Sequence, residues 1–261
     1  MKVTAIIVAA GRGSRMGADK NKVFLSIGNR TVLEYTLSTI ASCNAISDII
    51  LVTRECDIKK CKQITKYIDK PITVLKGGDT RQRSVLCGLS AVKNADIVVI
   101  HDGARALVSE KLITDTIEAA EKYGAAAAGV PCKDSLKSAD ENGFITATID
   151  RESTYLIQTP QTFRYMDILN AHIAAQRDDF SATDDCALYE KYIGTVKITP
   201  GSYDNIKLTT PDDMIIAKNI LKNSVVIGFI NLRRNFNNSI KILFQNILVK
   251  KRIKKQGADK K

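Results

Sequence analysis

A glycine-rich turn with four cationic side chains lies near the start of the chain, in the sequence VAAGRGSRMGADKNK over residues 8–22. Gly11 and Gly13 permit positive φ angles and let the backbone approach an anion without an intervening Cβ atom. The turn differs from the dinucleotide fingerprint, which needs a glycine at Met16, and from the P-loop, which needs Gly-Lys-Ser/Thr. Glycines and cations together predict a polyphosphate-binding turn, whose cations are Arg12, Arg15, Lys20 and Lys22.

A second glycine turn, GGDTRQRS over residues 77–84, opens a predicted helix. Helix N-termini attract anions through their free N–H groups and the helix dipole. The turn therefore fits a pocket for a base and ribose, or for another anion. A purely structural interpretation is equally open, in which Gly77 and Gly78 form a turn and Asp79 caps the helix.

The sequence HDGAR follows the apolar run IVVI and places Asp102 at the end of a predicted strand. A carboxylate there can accept a hydrogen bond from a ribose hydroxyl or from a metal-bound water. Arg105 can bind phosphate or pair with Asp102. The structural alternative is a buried ion pair that fixes the loop.

The chain is rich in cations at these turns and poor in groups that titrate near neutral pH. Two further polar clusters, 150–161 and 204–207, lie where strands are expected to end, and the only histidines are His101 and His172. A histidine-based zinc site or a Ser-His-Asp triad is therefore disfavoured. Many converging cations and few bases are typical of phosphoryl and nucleotidyl transfer, in which positioning and charge neutralisation dominate.

Strand-like and helix-like segments alternate, which predicts an α/β fold with a Rossmann-like, mostly parallel sheet flanked by helices. Ligands bind beyond the carboxyl ends of such strands, so the polar turns are expected to converge there. Residues 3–10 are almost continuously apolar, as expected for a central strand. The predicted strands are 3–10, 48–53, 72–75, 96–101, 125–130, 155–163, 196–199 and 205–208, and the predicted helices are 31–42, 57–68, 81–92, 110–122 capped by Ser109, 165–175, 183–192 and 211–221.

Residues 132–152 have a different character, because polar and apolar residues alternate around Asn142-Gly143. Asn-Gly is the strongest short-range signal for a β-hairpin. A hairpin this polar has little apolar surface to bury against its own domain. It is therefore interpreted as a candidate arm that packs on a second subunit.

The net charge of +11 is concentrated in residues 223–261, which carry +9, whereas residues 1–222 carry +2. The body is nearly neutral, so no nucleic-acid partner is expected for it. The basic C-terminal extension is interpreted either as a segment outside the fold or as an amphipathic helix over 239–255, which would contact an anionic membrane or nucleic acid.

Cysteine usage and the start of the chain predict a cytoplasmic location. The six cysteines lack C-x-x-C spacing and are interpreted as reduced thiols. Met1 leads directly into the first predicted strand, so no signal peptide is expected. No apolar run reaches the length of about 18 residues that a membrane span needs.

Taken in order, nine motifs resemble the 2-C-methyl-D-erythritol 4-phosphate cytidylyltransferase family over residues 1 to about 222: VAAGRGSRMG, NKVFLSIGN, GGDTRQRSV, HDGAR, DSLK, IDR, QTPQTF, TDD and DNIKLTTPDD. The resemblance implies that CTP reacts with methylerythritol 4-phosphate in the presence of Mg²⁺ and releases pyrophosphate, within non-mevalonate isoprenoid biosynthesis. It also implies a homodimer with interlocking hairpin arms, in which each arm completes the alcohol-phosphate site of the neighbouring subunit.

The resemblance assigns catalytic roles to four residues. Arg15 and Lys22 match a basic pair that holds the triphosphate and stabilises charge on the α-phosphate. Lys207 matches a lysine near the phosphates, and Arg151 acts from the arm. Asp102 matches the metal region, where it would hold Mg²⁺ directly or through water.

Binding roles follow from the same resemblance. The residues matched to CTP binding are Ala9, Ala10, Gly11, Gly13, Gly78, Arg81, Ser84, Asp102 and Gly103, and those matched to the alcohol phosphate are Ser135, Arg151, Arg105 and Thr159.

Three positions depart from the family pattern. Asn21 stands where proline is common, Ala106 where proline usually follows the arginine, and Ser135 where threonine is usual. None of these departures removes a charge, so activity is expected, with a more mobile loop at Asn21. Two alternatives stay open: a ribitol 5-phosphate cytidylyltransferase, which shares most of the motifs, and a non-catalytic nucleotide-binding body tethered by the basic extension.

Overall fold

The structure, a computed structural model, describes residues 1–11 and 21–223. The chain divides into two compact units, Met1–Ala217 and Lys218–Lys261. The segment 12–20, with predicted site residues Gly13 and Arg15, lies outside the described residues, as does the predicted amphipathic helix over 239–255.

The strands and helices alternate as predicted. The strands are β1 (Val3–Ala9), β2 (Ser26–Ile27), β3 (Arg30–Thr31), β4 (Asp48–Thr53), β5 (Ile72–Lys76), β6 (Ile97–Asp102), β7 (Ala125–Pro131), β8 (Leu136–Ala139), β9 (Ile145–Ile149), β10 (Tyr155–Arg164) and β11 (Lys197–Pro200). The helices are α1 (Val32–Ser42), α2 (Ile58–Thr65), α3 (Arg81–Ser90), α4 (Glu110–Tyr123), α5 (Tyr165–Arg177), α6 (Asp185–Tyr192) and α7 (211–223), and short 3₁₀ helices span Lys22–Phe24 and Glu55–Asp57. None of the described helices is long and apolar enough to cross a membrane.

One seven-stranded sheet forms the centre of the first unit, in the order β11-β7-β10-β6-β1-β4-β5. The pairs β1 with β4, β1 with β6, β4 with β5, and β11 with β7 are parallel, whereas β10 runs antiparallel to both of its neighbours. The predicted α/β fold with a mostly parallel sheet is therefore confirmed. Its parallel strands β1, β4 and β6 bring their carboxyl ends to the same edge.

Strand β1 is central because both of its faces are buried. Val3, Ala5 and Ile7 pack in a core with side chains of α1 and α4, while Ile6 points to the opposite face and packs with α3 and α5. A fully buried aliphatic side chain contributes roughly 1.5–3 kcal/mol. Both cores thus hold β1 in place and fix the position of the glycine turn that follows it.

Side-chain caps begin the helices that flank this edge. Ser109 caps α4 as predicted, by accepting a hydrogen bond from the Leu112 amide. For α3 the predicted cap is wrong: Thr80, not Asp79, accepts from the backbone N–H of Arg83. Asp79 is exposed and pairs with Arg83 instead, because α3 begins at Arg81, as predicted, and this places Thr80 at the N-cap position.

The predicted hairpin is present as a separate two-stranded sheet. Strands β8 and β9 pair antiparallel, and Gly143 in the turn between them has a φ of 85°, which favours glycine. Every residue of β9 is exposed. The packing of this arm on a second subunit stays a prediction.

The predicted strand over 205–208 is wrong. This segment has no strand partner, and its amide groups are bonded one by one: Asn205 N–H donates to the Ser202 carbonyl and Leu208 N–H to the Ala104 carbonyl. The Asn205 side chain also donates to the Thr159 carbonyl at 2.9 Å. These bonds fasten an irregular loop to the end of β6 and replace a strand ladder.

Candidate active site

A pocket of about 490 Å³ lies at the carboxyl ends of β1, β4 and β6. Its walls are the turns after β1 and β5, and glycine lets these two turns touch. A Cβ atom at Gly77 would lie 2.7 Å from Ser84 Oγ and 2.9 Å from Ala10 Cβ. The two glycine turns that the sequence singled out therefore form one site.

Most of the predicted nucleotide-site residues that are described line this pocket. They are Ala9, Ala10, Gly11, Lys22, Gly78, Arg81, Ser84, Asp102 and Lys207. Gly103 lies directly beneath it, and its N–H donates to the Val8 carbonyl at 2.9 Å. Ser84 Oγ donates to the Thr80 carbonyl at 2.8 Å, which stabilises the first turn of α3.

Asp102 is the anionic centre of the pocket. Its Oδ1 accepts from Arg81 Nε at 3.0 Å, and its Oδ2 accepts from Lys207 Nζ at 2.6 Å. Burial alone would raise the pKa of Asp102, but the two cations outweigh it and hold the pKa well below the usual range. Asp102 is therefore ionised in the folded protein, although it is only 6% exposed.

Arg81 joins Asp102 to a second buried carboxylate. Its Nη1 donates to Asp185 Oδ2 at 2.8 Å, and His172 Nε2 lies 3.1 Å from Asp185 Oδ1. Burial would raise the pKa of Asp185, but Arg81 and His172 lower it below its ordinary value. Burial would likewise lower the pKa of Arg81, and Asp185 and Asp102 raise it instead. Asp102, Arg81 and Asp185 are therefore all charged, and they form a continuous chain of hydrogen-bonded ion pairs.

The sequence analysis missed Asp185 and His172. They lie 104 and 91 positions from Arg81 along the chain, so no local motif connects them. The TDD motif at the start of α6 was the one signal in the sequence, but it does not indicate that its second aspartate, Asp185, is buried.

Asn21 anchors the end of the first glycine turn. Its Nδ2 donates to the Ala9 carbonyl at 2.9 Å and to Asp57 Oδ2 at 3.3 Å, and its Oδ1 accepts from Val23 N–H. Asp57 also accepts from Arg54 Nε at 2.7 Å. Asn21 is 1% exposed, so the residue in the usual proline position is itself firmly held.

Arg54 lines the pocket and was also missed by the sequence analysis. It comes immediately after β4, and a cation directly beyond a strand end was a signal that could have identified it. Arg54 and Lys22 are cations on the side of the pocket that contains the 3₁₀ helices, where Glu55 also lines the pocket and Asp57 pairs with Arg54.

Arg105 and Thr159, matched to the alcohol phosphate, lie behind Asp102 and do not line the pocket. Arg105 Nη1 donates to the Asn205 carbonyl at 2.7 Å, and burial lowers the pKa of this arginine. The Thr159 hydroxyl accepts from the Asp102 amide and contacts His101 Nδ1, each at 3.1 Å. In the described chain both side chains support the loops that carry Asp102 and Lys207.

Ser135 and Arg151 lie at the base of the exposed arm, also away from this pocket. Arg151 Nη1 donates to the Lys133 carbonyl at 3.3 Å, which ties the two sides of the arm together. Within one subunit the described structure thus does not bring these residues to Lys22 or Asp102.

The donor set around Asp102 fits a magnesium ion only if other ligands complete its shell. No cluster of three or more histidine, cysteine or acidic side chains suited to a metal occurs within 1–11 and 21–223. Both Asp102 oxygens contact cations. Mg²⁺ commonly takes one or two carboxylates and completes its shell with substrate phosphates and waters. A single carboxylate beside a polyphosphate pocket fits that pattern.

The family model described as IspD, 2-C-methyl-D-erythritol 4-phosphate cytidylyltransferase, matches residues 3–223. Among proteins bearing the same description, one from Clostridium acetobutylicum is 46% identical over 225 residues, covering 85% of this chain and 98% of that protein. One from Caldanaerobacter subterraneus subsp. tengcongensis is 45% identical over 226 residues, covering 85% of this chain and 100% of that protein.

Solved structures agree with the sequence relatives. The 4-diphosphocytidyl-2C-methyl-D-erythritol synthase of Anaerococcus prevotii superimposes with a TM-score of 0.77 at 36% identity, covering 85% of this chain and 96% of that chain. The 2-C-methyl-D-erythritol 4-phosphate cytidylyltransferase of Thermus thermophilus superimposes with a TM-score of 0.69 at 30% identity, covering 85% of this chain and 100% of that chain.

Proposed function

Since the chain belongs to the 2-C-methyl-D-erythritol 4-phosphate cytidylyltransferase family, we propose that its pocket binds CTP and transfers CMP to methylerythritol 4-phosphate. The chain is a nucleotidyltransferase of isoprenoid biosynthesis. In the reaction an oxygen of the substrate phosphate forms a bond to the α-phosphorus of CTP. The bond between the α- and β-phosphates breaks, and pyrophosphate leaves with its electron pair.

The observation that carries this function is the convergence of two glycine turns, Lys22, Arg81 and Lys207 on one pocket. The attacking phosphate is already anionic near neutral pH, so the reaction needs no general base. His101 and His172 are at most 1% exposed, and burial lowers the pKa of His101 to about 4. Positioning and charge stabilisation by cations are therefore the proposed source of the rate enhancement.

Individual roles follow from the position of each group. Lys22 and Lys207 neutralise the charge that develops on the α-phosphate, together with Arg15, which lies outside the described residues. The backbone of the first turn binds the triphosphate, and the second turn with Arg81 binds the nucleoside. The backbone part of the set comprises Ala9, Ala10, Gly11 and Gly78.

Mg²⁺ is part of the proposal, with Asp102 as the protein ligand, directly or through water. When bound, the ion would neutralise phosphate charge and orient the triphosphate. Asp102 contributes in either case by holding Arg81 on one carboxylate oxygen and Lys207 on the other.

A homodimer is the second structural element of the proposal. The arm exposes Phe144 and Ile145 by 71% and 66%, and Leu156 at the start of β10 is 50% exposed. Large apolar side chains exposed on the arm and beyond its base make this part of the chain a candidate interface. We assign Ser135 and Arg151 to the alcohol-phosphate site of the neighbouring subunit, because they do not line the pocket of their own chain.

The activity is tested by pyrophosphate release with CTP and Mg²⁺, offering methylerythritol 4-phosphate and ribitol 5-phosphate separately. Release with the first substrate alone supports the proposal, whereas release with ribitol 5-phosphate alone would replace the acceptor. Lys22→Ala serves as the active-site control and is expected to lower turnover by about a hundredfold.

The shared site is tested by mixing two inactive variants, Lys22→Ala and Arg151→Ala. If the arm acts on the neighbouring subunit, half of the randomly reassociated dimers contain one intact site. Mixing then restores roughly a quarter of the wild-type activity. No recovery after verified subunit exchange would mean that Arg151 acts within its own chain.

The cytoplasmic location stays a prediction. The contacts of the basic extension over 223–261 also stay a prediction, because residues 224–261 lie outside the described part of the chain.

A further inference from the structure

Two buried side chains behind the pocket are unused by the chemistry described above. Asp185 and His172 are each 1% exposed, and neither lines the pocket. We propose that they are positioning residues that hold the guanidinium of Arg81 against Asp102 for CTP binding. The inference rests on the proposed function, because it concerns the same nucleotide site.

Arg81 is held from two sides. Its Nε donates to Asp102 at 3.0 Å and its Nη1 donates to Asp185 at 2.8 Å. A guanidinium is planar, so two bonds from different nitrogens fix both its location and the direction of its remaining donors. If Asp185 were neutral, only Asp102 would hold the Arg81 guanidinium through an ion pair. Because the Arg81 side chain is 26% exposed, it would then have room to turn towards solvent.

Asp185 is suited to this task by its own surroundings. It is the first residue of α6, where the helix dipole favours a negative charge, and its backbone N–H donates to Gln161 Oε1 at 3.1 Å. His172 on α5 supplies the second side-chain contact at 3.1 Å. Because a carboxylate only accepts hydrogen bonds, His172 Nε2 carries the proton in this contact. Helices α3, α5 and α6 are thereby joined through one carboxylate.

A role in charge balance alone would have the opposite effect on CTP. Arg81, Lys207, Asp102 and Asp185 form a set with two positive and two negative charges. Removing the charge of Asp185 leaves this set positive, which would favour a polyanion such as CTP. If positioning dominates, the same change weakens CTP binding. The sign of the change therefore distinguishes the two roles.

The experiment compares Asp185→Asn with Asp184→Asn in the full-length protein. Asp184 is the neighbouring carboxylate at the same helix start, and it accepts from Ala187 N–H and Gln161 Nε2 without touching Arg81. Asparagine is also a good helix cap and can keep the bond from Ala187 N–H, so this control removes one negative charge and one hydrogen bond, from Gln161 Nε2, that does not involve Arg81. CTP affinity is measured by titration calorimetry, and KM for each substrate and kcat by pyrophosphate release.

We expect Asp185→Asn to weaken CTP binding and to raise KM for CTP by about tenfold or more, as loss of a charged hydrogen bond does. In Asp185→Asn the KM for methylerythritol 4-phosphate should stay within about twofold of wild type. In Asp184→Asn the CTP affinity and both KM values should stay within the same range. Unchanged or tighter CTP binding in Asp185→Asn would overturn the proposal. An equal rise of KM for both substrates would overturn it too, since that indicates a general structural loss.

His172 provides a second test if Asp185→Asn does not fold. His172→Gln keeps an N–H donor and is expected to stay close to wild type, whereas His172→Phe lacks the donor and should raise KM for CTP. Equal behaviour of these two variants would contradict the proposed role. Failure of the proposed function is seen separately, because it would appear in the wild-type protein as no CTP binding or no turnover.

Discussion

Replacing Asp102 by asparagine tests whether the pocket cations are held by a buried carboxylate. The substitution keeps the shape of the side chain and removes its charge. Asp102 accepts from Arg81 Nε at 3.0 Å and from Lys207 Nζ at 2.6 Å. An asparagine keeps one acceptor oxygen and turns an N–H₂ group towards one of the two cations, so at least one ion pair is lost.

The expected loss of folding stability follows from the exposure of each partner. Removing one member of a buried ion pair typically costs about 3–5 kcal/mol. The Lys207 side chain is 37% exposed and can turn to water, so its contact contributes little to the loss. Arg81 keeps its bond to Asp185. We therefore expect the unfolding free energy to fall by about 2–3 kcal/mol, which lowers Tm by about 5–10 °C.

Urea unfolding of wild type and Asp102→Asn measures this difference from the transition midpoints. Asp48→Asn is the matched control, because Asp48 also pairs with a lysine at the sheet, but its 3.4 Å pair with Lys2 is partly exposed. An asparagine there can keep its oxygen on the Thr4 hydroxyl, which donates to Asp48 Oδ1 at 2.9 Å. The control should cost less than about 1 kcal/mol. A loss below about 0.5 kcal/mol in Asp102→Asn, or equal losses in both variants, would refute the reasoning.

Three further changes have calculable outcomes. Gly88→Ala should lower the unfolding free energy by about 1–2 kcal/mol in urea titration, because the new Cβ would lie 2.6 Å from Ile6 Cγ2. Gly194→Ala is the control and should leave the unfolding free energy nearly unchanged, because a Cβ there would meet no atom within 4 Å. Asn21→Ala removes the buried bonds that anchor the start of the Lys22 helix, and turnover at saturating substrates should fall about tenfold. Burial lowers the pKa of His101 to about 4, so between about pH 6.5 and pH 4 the unfolded chain binds a proton at this histidine that the folded chain does not. The unfolding free energy should therefore drop by up to about 3 kcal/mol as the pH falls across that range. His101→Gln should flatten this pH dependence in urea titrations.

Much of the fold could be predicted because the strands are short apolar runs with clear ends. The predicted bounds of β4, 48–53, agree with the structure, since this run is buried and lies between polar turns. The Asn142-Gly143 turn could be placed because its signal is local. The pocket could also be located in advance, because parallel strands deliver their following turns to one edge.

The parts that sequence could not provide depend on contacts between distant segments. The loop over 205–208 resembles a strand in composition, but Asn205 binds the Thr159 carbonyl and Arg105 binds the Asn205 carbonyl. An aspartate at the start of a helix, as Asp185 is, is ordinarily expected to be exposed. Only the packing of α5 against α6 buries Asp185 beside His172. No local pattern reports such contacts, because each partner lies on a different element.

The buried carboxylates explain how a chain can gather cations before any nucleotide is present. Cations brought together in one pocket repel each other, and this repulsion would favour an open or displaced arrangement. Asp102 separates Arg81 from Lys207, and Asp185 holds Arg81 from behind, so the cations are in place without net charge in this set. Triphosphate can then bind donors that need little reorganisation, which is the condition for electrostatic catalysis. The same arrangement predicts that neutralising Asp102 or Asp185 weakens CTP binding, even though either substitution makes this set of side chains more positive.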